Sequence, residues 1–138
     1  MHDNLTEIDI DIGTAERSIH QVHKLIHTVF TQPSGAQAAL QALMPQFSPE
    51  FSMVTTTGRL VGLKDVEQMF QSAAGQRPGL EISVSDVQPV WRDAAGLAMR
   101  YLETHRLDGV ETSRRSVVIL QRAGQGVLWR YLHETAMG

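Results

Sequence analysis

The sequence predicts an α+β domain, three N-terminal helices packed on one face of a strongly bent, mainly antiparallel sheet. Two observations predict it. Apolar residues recur at three-to-four spacing through residue 75 and alternate at spacing two after residue 80. The alternation then slips by one near Ser85-Asp86, the mark of a β-bulge, and bulges bend sheets. Length agrees, since 138 residues make one ordinary domain that buries roughly 68–70% of its unfolded surface.

Residues 1–12 read as a short polar arm, and the domain occupies 13–138. From Thr14, a fitting N-cap, the stripe Ala15, Ile19, Val22, Ile26 and Val29 or Phe30 predicts a helix that Pro33 stops near Gln32. Ser34 and Gln37 fit a capping box for a second helix with buried Ala36, Ala39, Leu40, Leu43 and Met44, closed by Pro45. Phe51 to Thr57 reads as a strand, with a turn at Thr57-Gly58-Arg59 and a short return at Leu60-Val61. Gly62 opens a third helix with Leu63, Val66, Met69, Phe70 and Ala73 inward, and Gly75 stops it. Pro78-Gly79 has the order of a type II turn. Strands follow near 80–91, 96–107, 112–122 and 127–135, with Asp108-Gly109 as a two-residue hairpin and 123–126 as a looser loop.

Composition excludes several classes of function. With no cysteine there is no disulfide framework, thiolate metal site or cysteine nucleophile. A net charge of −3 argues against nucleic acid, whose phosphates demand a cationic surface. The longest aliphatic run, Val117 to Leu120, falls far short of the ~20 residues of a membrane span. An acidic opening (Asp3, Glu7, Asp9, Asp11) without a basic signal start leads us to expect a cytoplasmic protein. Charge is uneven, because residues 76–138 carry 8 bases, all Arg, against 7 acids, whereas residues 1–75 carry 4 bases against 8 acids. No cofactor or metal is expected. His20, His23 and His27 fall within about 60° on the first helix, but a stripe over two turns makes a poor tetrahedral claw. They read as the polar shoulder of an amphipathic helix.

Hairpin arithmetic then assigns the sheet faces. A two-residue turn at Asp108-Gly109 sets Tyr101 opposite Ser116 and Glu103 opposite Arg114. Pairing Arg122 with Val127 sets Ser116 opposite His133 and Val118 opposite Tyr131. The inner face then carries Trp91, Leu97, Met99, Tyr101, Val118, Leu120, Trp129 and Tyr131, turning polar at one end with Glu103, His105, Arg114, Ser116 and His133. Such an apolar floor with convergent polar groups suits a small-molecule pocket, and a filled core with polar edges is the plainer alternative. Glu103 and Arg114 read as a cross-strand ion pair worth about 0.2–1 kcal/mol, and His105 as a solvated rim group. The outer face carries Leu102, Val117, Ile119, Arg130 and Leu132. That is too much aliphatic surface for open solvent, and it suggests a homodimer.

The run 51–62, FSMVTTTGRLVG, a helix ending in Met69-Phe70, and the close Trp129-Arg130-Tyr131-Leu132-His133 resemble the nuclear transport factor 2-like superfamily over roughly residues 13–136. The nearer resemblance is to small stand-alone bacterial domains of unassigned function and to the association domain of calcium/calmodulin-dependent kinase II. The resemblance implies a cone-shaped, cystatin-like roll that binds small apolar or weakly anionic ligands and associates through its sheet. The expected ligand site is therefore Trp91, Met99, Tyr101, Arg114, Ser116, Trp129, Tyr131 and His133, taking a small apolar or monocarboxylate ligand. The competing reading is a cofactor-independent isomerase, dehydratase or cyclase, with His133 as base and Glu103 or Arg114 as its electrostatic partner. Against it, Thr55 stands where ketosteroid isomerases carry a general-base carboxylate. A third reading, a pure protein-assembly module, lacks a second domain to assemble.

Overall fold

The structure is a computed structural model and describes residues 11–138. Residues 1–10 of the expected polar arm lie outside the described residues. Asp11 and Ile12, read as part of that arm, belong to the first helix, α1 (Asp11–Thr31). Thr14 is therefore inside the helix rather than at its cap, and its hydroxyl accepts a bond from Arg17 at 3.2 Å. Ala15, Ile19, Val22 and Val29 of the stripe are buried, each such aliphatic side chain larger than alanine contributing about 1.5–3 kcal/mol.

The second helix, α2 (Ala36–Leu43), starts at Gly35 without a side-chain cap, so the expected Ser34–Gln37 box is absent. A tight turn explains this. Gln32 N–H donates to the Thr28 carbonyl and Gly35 N–H to that of Gln32, which places Ser34 before the cap position. A 3₁₀ turn (Met44–Gln46) holding Pro45 leads into β1 (Phe47–Val54), four residues earlier than expected. The turn after it is tied by Thr55 N–H to the Arg59 carbonyl at 2.9 Å and leads to β2 (Leu60–Gly62). In α3 (Leu63–Ala73), Asp65 Oδ2 accepts the Gly62 N–H at 3.0 Å and so caps the helix start.

Gly75 ends α3 as expected, at φ +70°. Its N–H donates to the Val29 carbonyl at 2.8 Å, pinning α3 to α1, and a Cβ there would sit 2.9 Å from Pro33 Cα. Pro78-Gly79 forms the type II turn, with Gly79 at φ +85° and Leu80 N–H bonded to the Arg77 carbonyl.

The remaining strands are β3 (Glu81–Asp93), β4 (Gly96–Leu107), β5 (Val110–Ala123) and β6 (Gly126–Ala136). The sheet order is β2-β1-β6-β5-β4-β3, antiparallel except where β1 runs parallel to β6. The bulge at Ser85-Asp86 is present, with Asp86 at φ +54°, and Leu107 faces Val110 across the Asp108-Gly109 turn. Tyr101 lies opposite Ser116 and Glu103 opposite Arg114, as the arithmetic requires. The second loop is a two-residue turn, since Ala123 pairs with Gly126.

Two further irregularities overturn part of the face assignment. Leu120 pairs with Trp129 but Ile119 with Tyr131, leaving Arg130 as an extra residue in β6. Beyond it, Leu132 and Glu134 turn inward while Tyr131 and His133 turn outward, so Ser116 faces Glu134 and Val118 faces Leu132. Leu132 therefore leaves the proposed dimer face, and Arg130 donates to the Glu50 carbonyl at 2.8 Å. In β3 a second shift at Pro89–Trp91 puts Trp91 on the outer face opposite Ala98, where it is 58% exposed. The core thus lies between the helices and an inner face of Leu97, Met99, Tyr101, Val118, Leu120 and Trp129.

Candidate functional site

The bent sheet and the two long helices leave an inner chamber of about 90 Å³, walled by Val22, Ile26, Phe47, Phe51, Phe70 and Trp129. Trp129 forms its base, held by an Nε1–H bond to Ser18 Oγ at 3.0 Å and by edge contact with Phe47. The chamber adjoins a vestibule of about 530 Å³ bounded by the Thr55–Arg59 turn, α3 and Arg77. Both spaces share a collar made of His105, Arg114 and Glu134 together with Phe30, Met53, Val66 and Met69.

The polar wall of the chamber is a chain of three side chains from three places in the sequence. Glu103 Oε1 accepts from His23 Nε2 at 3.1 Å, and Glu103 Oε2 accepts from His105 Nε2 at 2.6 Å. All three residues are buried. His23 Nδ1 also sits 2.8 Å from the Ile19 carbonyl, which can only accept. Both ring nitrogens of His23 therefore donate, as in an imidazolium facing a carboxylate. The electrostatics agree. Burial alone would lower the His23 pKa, but the hydrogen bond and charge of Glu103 outweigh it and raise the pKa above its ordinary value. For Glu103, burial pushes upward, and the bonds from His105 and His23 overcome it to hold the carboxyl far below the usual carboxylate range.

Next to this chain, Arg114 pairs with Glu134 at 3.5 Å. Burial raises the Glu134 pKa, with Arg114 opposing. The expected Glu103–Arg114 ion pair is thus replaced: the register brings them face to face, yet Glu103 binds two histidines and Arg114 binds Glu134.

Of the residues expected to line a site, Glu103, Arg114 and Trp129 do so. Met99, Tyr101 and Ser116 are fully buried in the packed part of the core, and the Tyr101 and Ser116 hydroxyls make no hydrogen bond of proper geometry. Burial, then the Glu103 charge, pushes the Tyr101 phenol well above its ordinary pKa. Trp91, Tyr131 and His133 lie on the outer face, where Tyr131 hydroxyl and His133 Nδ1 share a bond at 3.1 Å. His133 is therefore no base for the chamber. His105 is buried rather than a solvated rim group.

Sequence reasoning missed His23, Glu134 and the phenylalanines. His23 carried a usable signal, since it follows Ile19 by four residues and so shares the buried stripe. His20 is exposed and His27 bonds the Leu80 carbonyl at 2.8 Å, so the three histidines do not converge. Among the described residues no group of three His, Asp or Glu is arranged to hold a metal ion, and no helix is long and apolar enough to cross a membrane.

No family model matches the chain, and no curated protein matches it. Solved structures do. An NTF-2 like protein of unknown function from Pseudomonas aeruginosa is 32% identical over 91% of this chain and 99% of that one, with a TM-score of 0.84. The CamKII hub homology domain of Chlamydamonas reinhardtii superposes at TM-score 0.67 with 14% identity, over 90% of this chain and 98% of its own. A ketosteroid isomerase-like protein from Erwinia carotovora atroseptica gives 0.66 with 11% identity, over 94% of this chain and 98% of its own. The last two show the shared fold alone.

Proposed function

From the premise that this chain belongs to the nuclear transport factor 2-like superfamily, we propose that it is a small-molecule-binding domain that works as a homodimer. One observation carries the binding reading: an apolar chamber of about 90 Å³ with a charged wall, sharing lining residues with an adjoining vestibule. Its ligand is a small apolar molecule or monocarboxylate, held with micromolar-to-millimolar affinity. Trp129 at the base is a built-in reporter, and a Trp91→Phe background removes the other tryptophan. Titration of that protein with 1-hexanol should change Trp129 fluorescence saturably. No change up to the solubility limit, in a folded sample, ends the binding reading.

What supports the dimer is the outer face. By register, Trp91, Ala98, Ile119 and Tyr131 make one row across four strands, with Ile119 42% exposed. Val117 and Leu102 extend the patch. Light scattering should give twice 15.3 kDa, and Ile119→Glu should return the mass to one copy. A wild-type mass of one copy at micromolar concentration refutes it.

The His23–Glu103–His105 chain favours a second reading, an acid–base enzyme in which His105 replaces His133 as the proton-transfer group and Glu103 orients it. Thr55, on the vestibule wall, cannot abstract a carbon-bound proton. The test is deuterium exchange beside the carbonyl of small keto acids in heavy water. Exchange that His105→Gln abolishes supports the reading, and no exchange with wild type removes it.

A further inference from the structure

The vestibule is basic in an acidic protein. Its lining sets Arg59, Arg77 and Arg114 against the carboxylates of Asp65 and Glu134, a small positive excess. Arg114 pairs with Glu134, His105 bonds Glu103, and Asp65 accepts the Gly62 N–H at the start of α3. Arg59 and Arg77 have no carboxylate partner among the described residues. Both come from loops that are tied down. The turn carrying Arg59 closes through Thr55, whose N–H donates to the Arg59 carbonyl and whose hydroxyl accepts the Arg59 N–H at 3.3 Å. Arg77 is fixed by its N–H to the Phe30 carbonyl at 2.9 Å, and its guanidinium stands 5.9 Å over the Phe30 ring. Phe30 belongs to the collar, so Arg77 sits where the vestibule narrows to the chamber.

We propose that Arg59 and Arg77 form an anion-recognition site in the vestibule, so that the ligand is a slender aliphatic monocarboxylate bound with its head outward and its tail through the collar. This rests on the binding reading above. Arginine forks suit carboxylates, and loops held by backbone bonds reduce the ordering cost of binding. The chamber sets the tail. At about 90 Å³ it is smaller than the ~150 Å³ apolar cavity that takes up benzene, so it admits a short chain end rather than a ring. The polar side chains at the collar do not receive the head. Arg114 is engaged by Glu134 and His105 by Glu103, and Glu103, a carboxylate on the chamber wall behind the collar, repels a second one.

The experiment uses the Trp91→Phe protein and two probes of equal length, hexanoate and 1-hexanol. Hexanoate should bind about tenfold or more tightly than 1-hexanol, the size of one charge-assisted hydrogen bond. The double variant Arg59→Ala/Arg77→Ala should bring hexanoate down to the affinity of 1-hexanol, leaving 1-hexanol unchanged. Raising the salt concentration should weaken hexanoate alone. Equal affinity of the two probes in the starting protein, or hexanoate binding unmoved by the double variant, overturns the anion site while the chamber reading stands. Failure of both probes overturns the chamber reading and the anion site with it. A chain-for-ring swap to 3-phenylpropionate should lose affinity, and a gain overturns the assignment of a slender tail.

Discussion

Replacing Glu103 separates charge from hydrogen bonding at the chamber wall. Glu103→Ala removes the acceptor for two buried donors, leaving His23 with a buried charge that has lost its partner. Breaking a buried pair in this way costs about 3–5 kcal/mol, or roughly 12–20 °C in melting temperature for a domain of this size. Glu103→Gln differs. Because His23 Nδ1–H must keep donating to the Ile19 carbonyl, neutral His23 presents Nε2 as an acceptor. The glutamine amide can then donate to His23 and accept from His105, so every group stays bonded. Only charge assistance is lost, at about 1–2 kcal/mol. The pH dependence separates the two states. The raised pKa of His23 gives wild type a contribution that is full below the ordinary value of 6.5 and fades as pH rises through the folded value. In the glutamine variant the bond and charge of Glu103 are gone, and only the Ile19 carbonyl and the Glu134 charge still oppose burial. The His23 pKa falls below its wild-type value, so the acid-side contribution shrinks. Chemical denaturation at about pH 8 and about pH 5.5 should therefore show the gap between wild type and Glu103→Gln widening toward acid. A gap independent of pH, or a glutamine variant as unstable as the alanine one, would refute the imidazolium–carboxylate assignment.

Tyr101→Phe should be neutral or stabilising by up to about 2 kcal/mol, because the buried hydroxyl it deletes stands beside Ser116 without a hydrogen bond of proper geometry. A clear loss in a urea melt would show that the hydroxyl has a partner. Gly75→Ala should cost about 2 kcal/mol or more, as its φ of +70° and the 2.9 Å approach to Pro33 both resist a Cβ. An unchanged thermal midpoint would contradict the pinning of α3 to α1. Leu120→Ala should cost about 2–5 kcal/mol, since Leu120 is wholly buried, and stability within 1 kcal/mol of wild type would mean the core there collapses freely.

The fold was legible where a local signal marked each irregularity. The slip at Ser85-Asp86 sits at an aspartate in left-handed conformation, and Asp108-Gly109 sets a register that holds from Leu107 to Gly96. The site was legible on that hairpin and lost beyond it. The extra residue in β6, Arg130, carries no turn chemistry, and both phases of 127–133 are apolar enough to face inward. What decides between them is β1, whose own register with β6 shifts between Phe47 and Ser52 and whose Glu50 carbonyl receives the Arg130 guanidinium. That partner lies some eighty residues away in sequence, beyond any local pattern. The result moved Tyr131 and His133 outward and brought in Glu134. Trp91 was displaced in the same way by the shift at Pro89, a residue without an N–H to give the ladder.

The parallel pairing of β1 with β6 also sets an order of events during synthesis. β6 lies between β1 and β5, so the first two strands have no sheet to join until the last strand exists. A nascent chain ending after β5 would hold the β3–β4–β5 meander, a contiguous antiparallel unit, with β1 and β2 unattached. Phe47 and Phe51 would then have no Trp129 to pack on, and the chamber would lack its base. A chamber closed at its base therefore requires β6. The slow step should be closure of the long loop between β1 and β6, because distant contacts form only after their entropy of closure has been met.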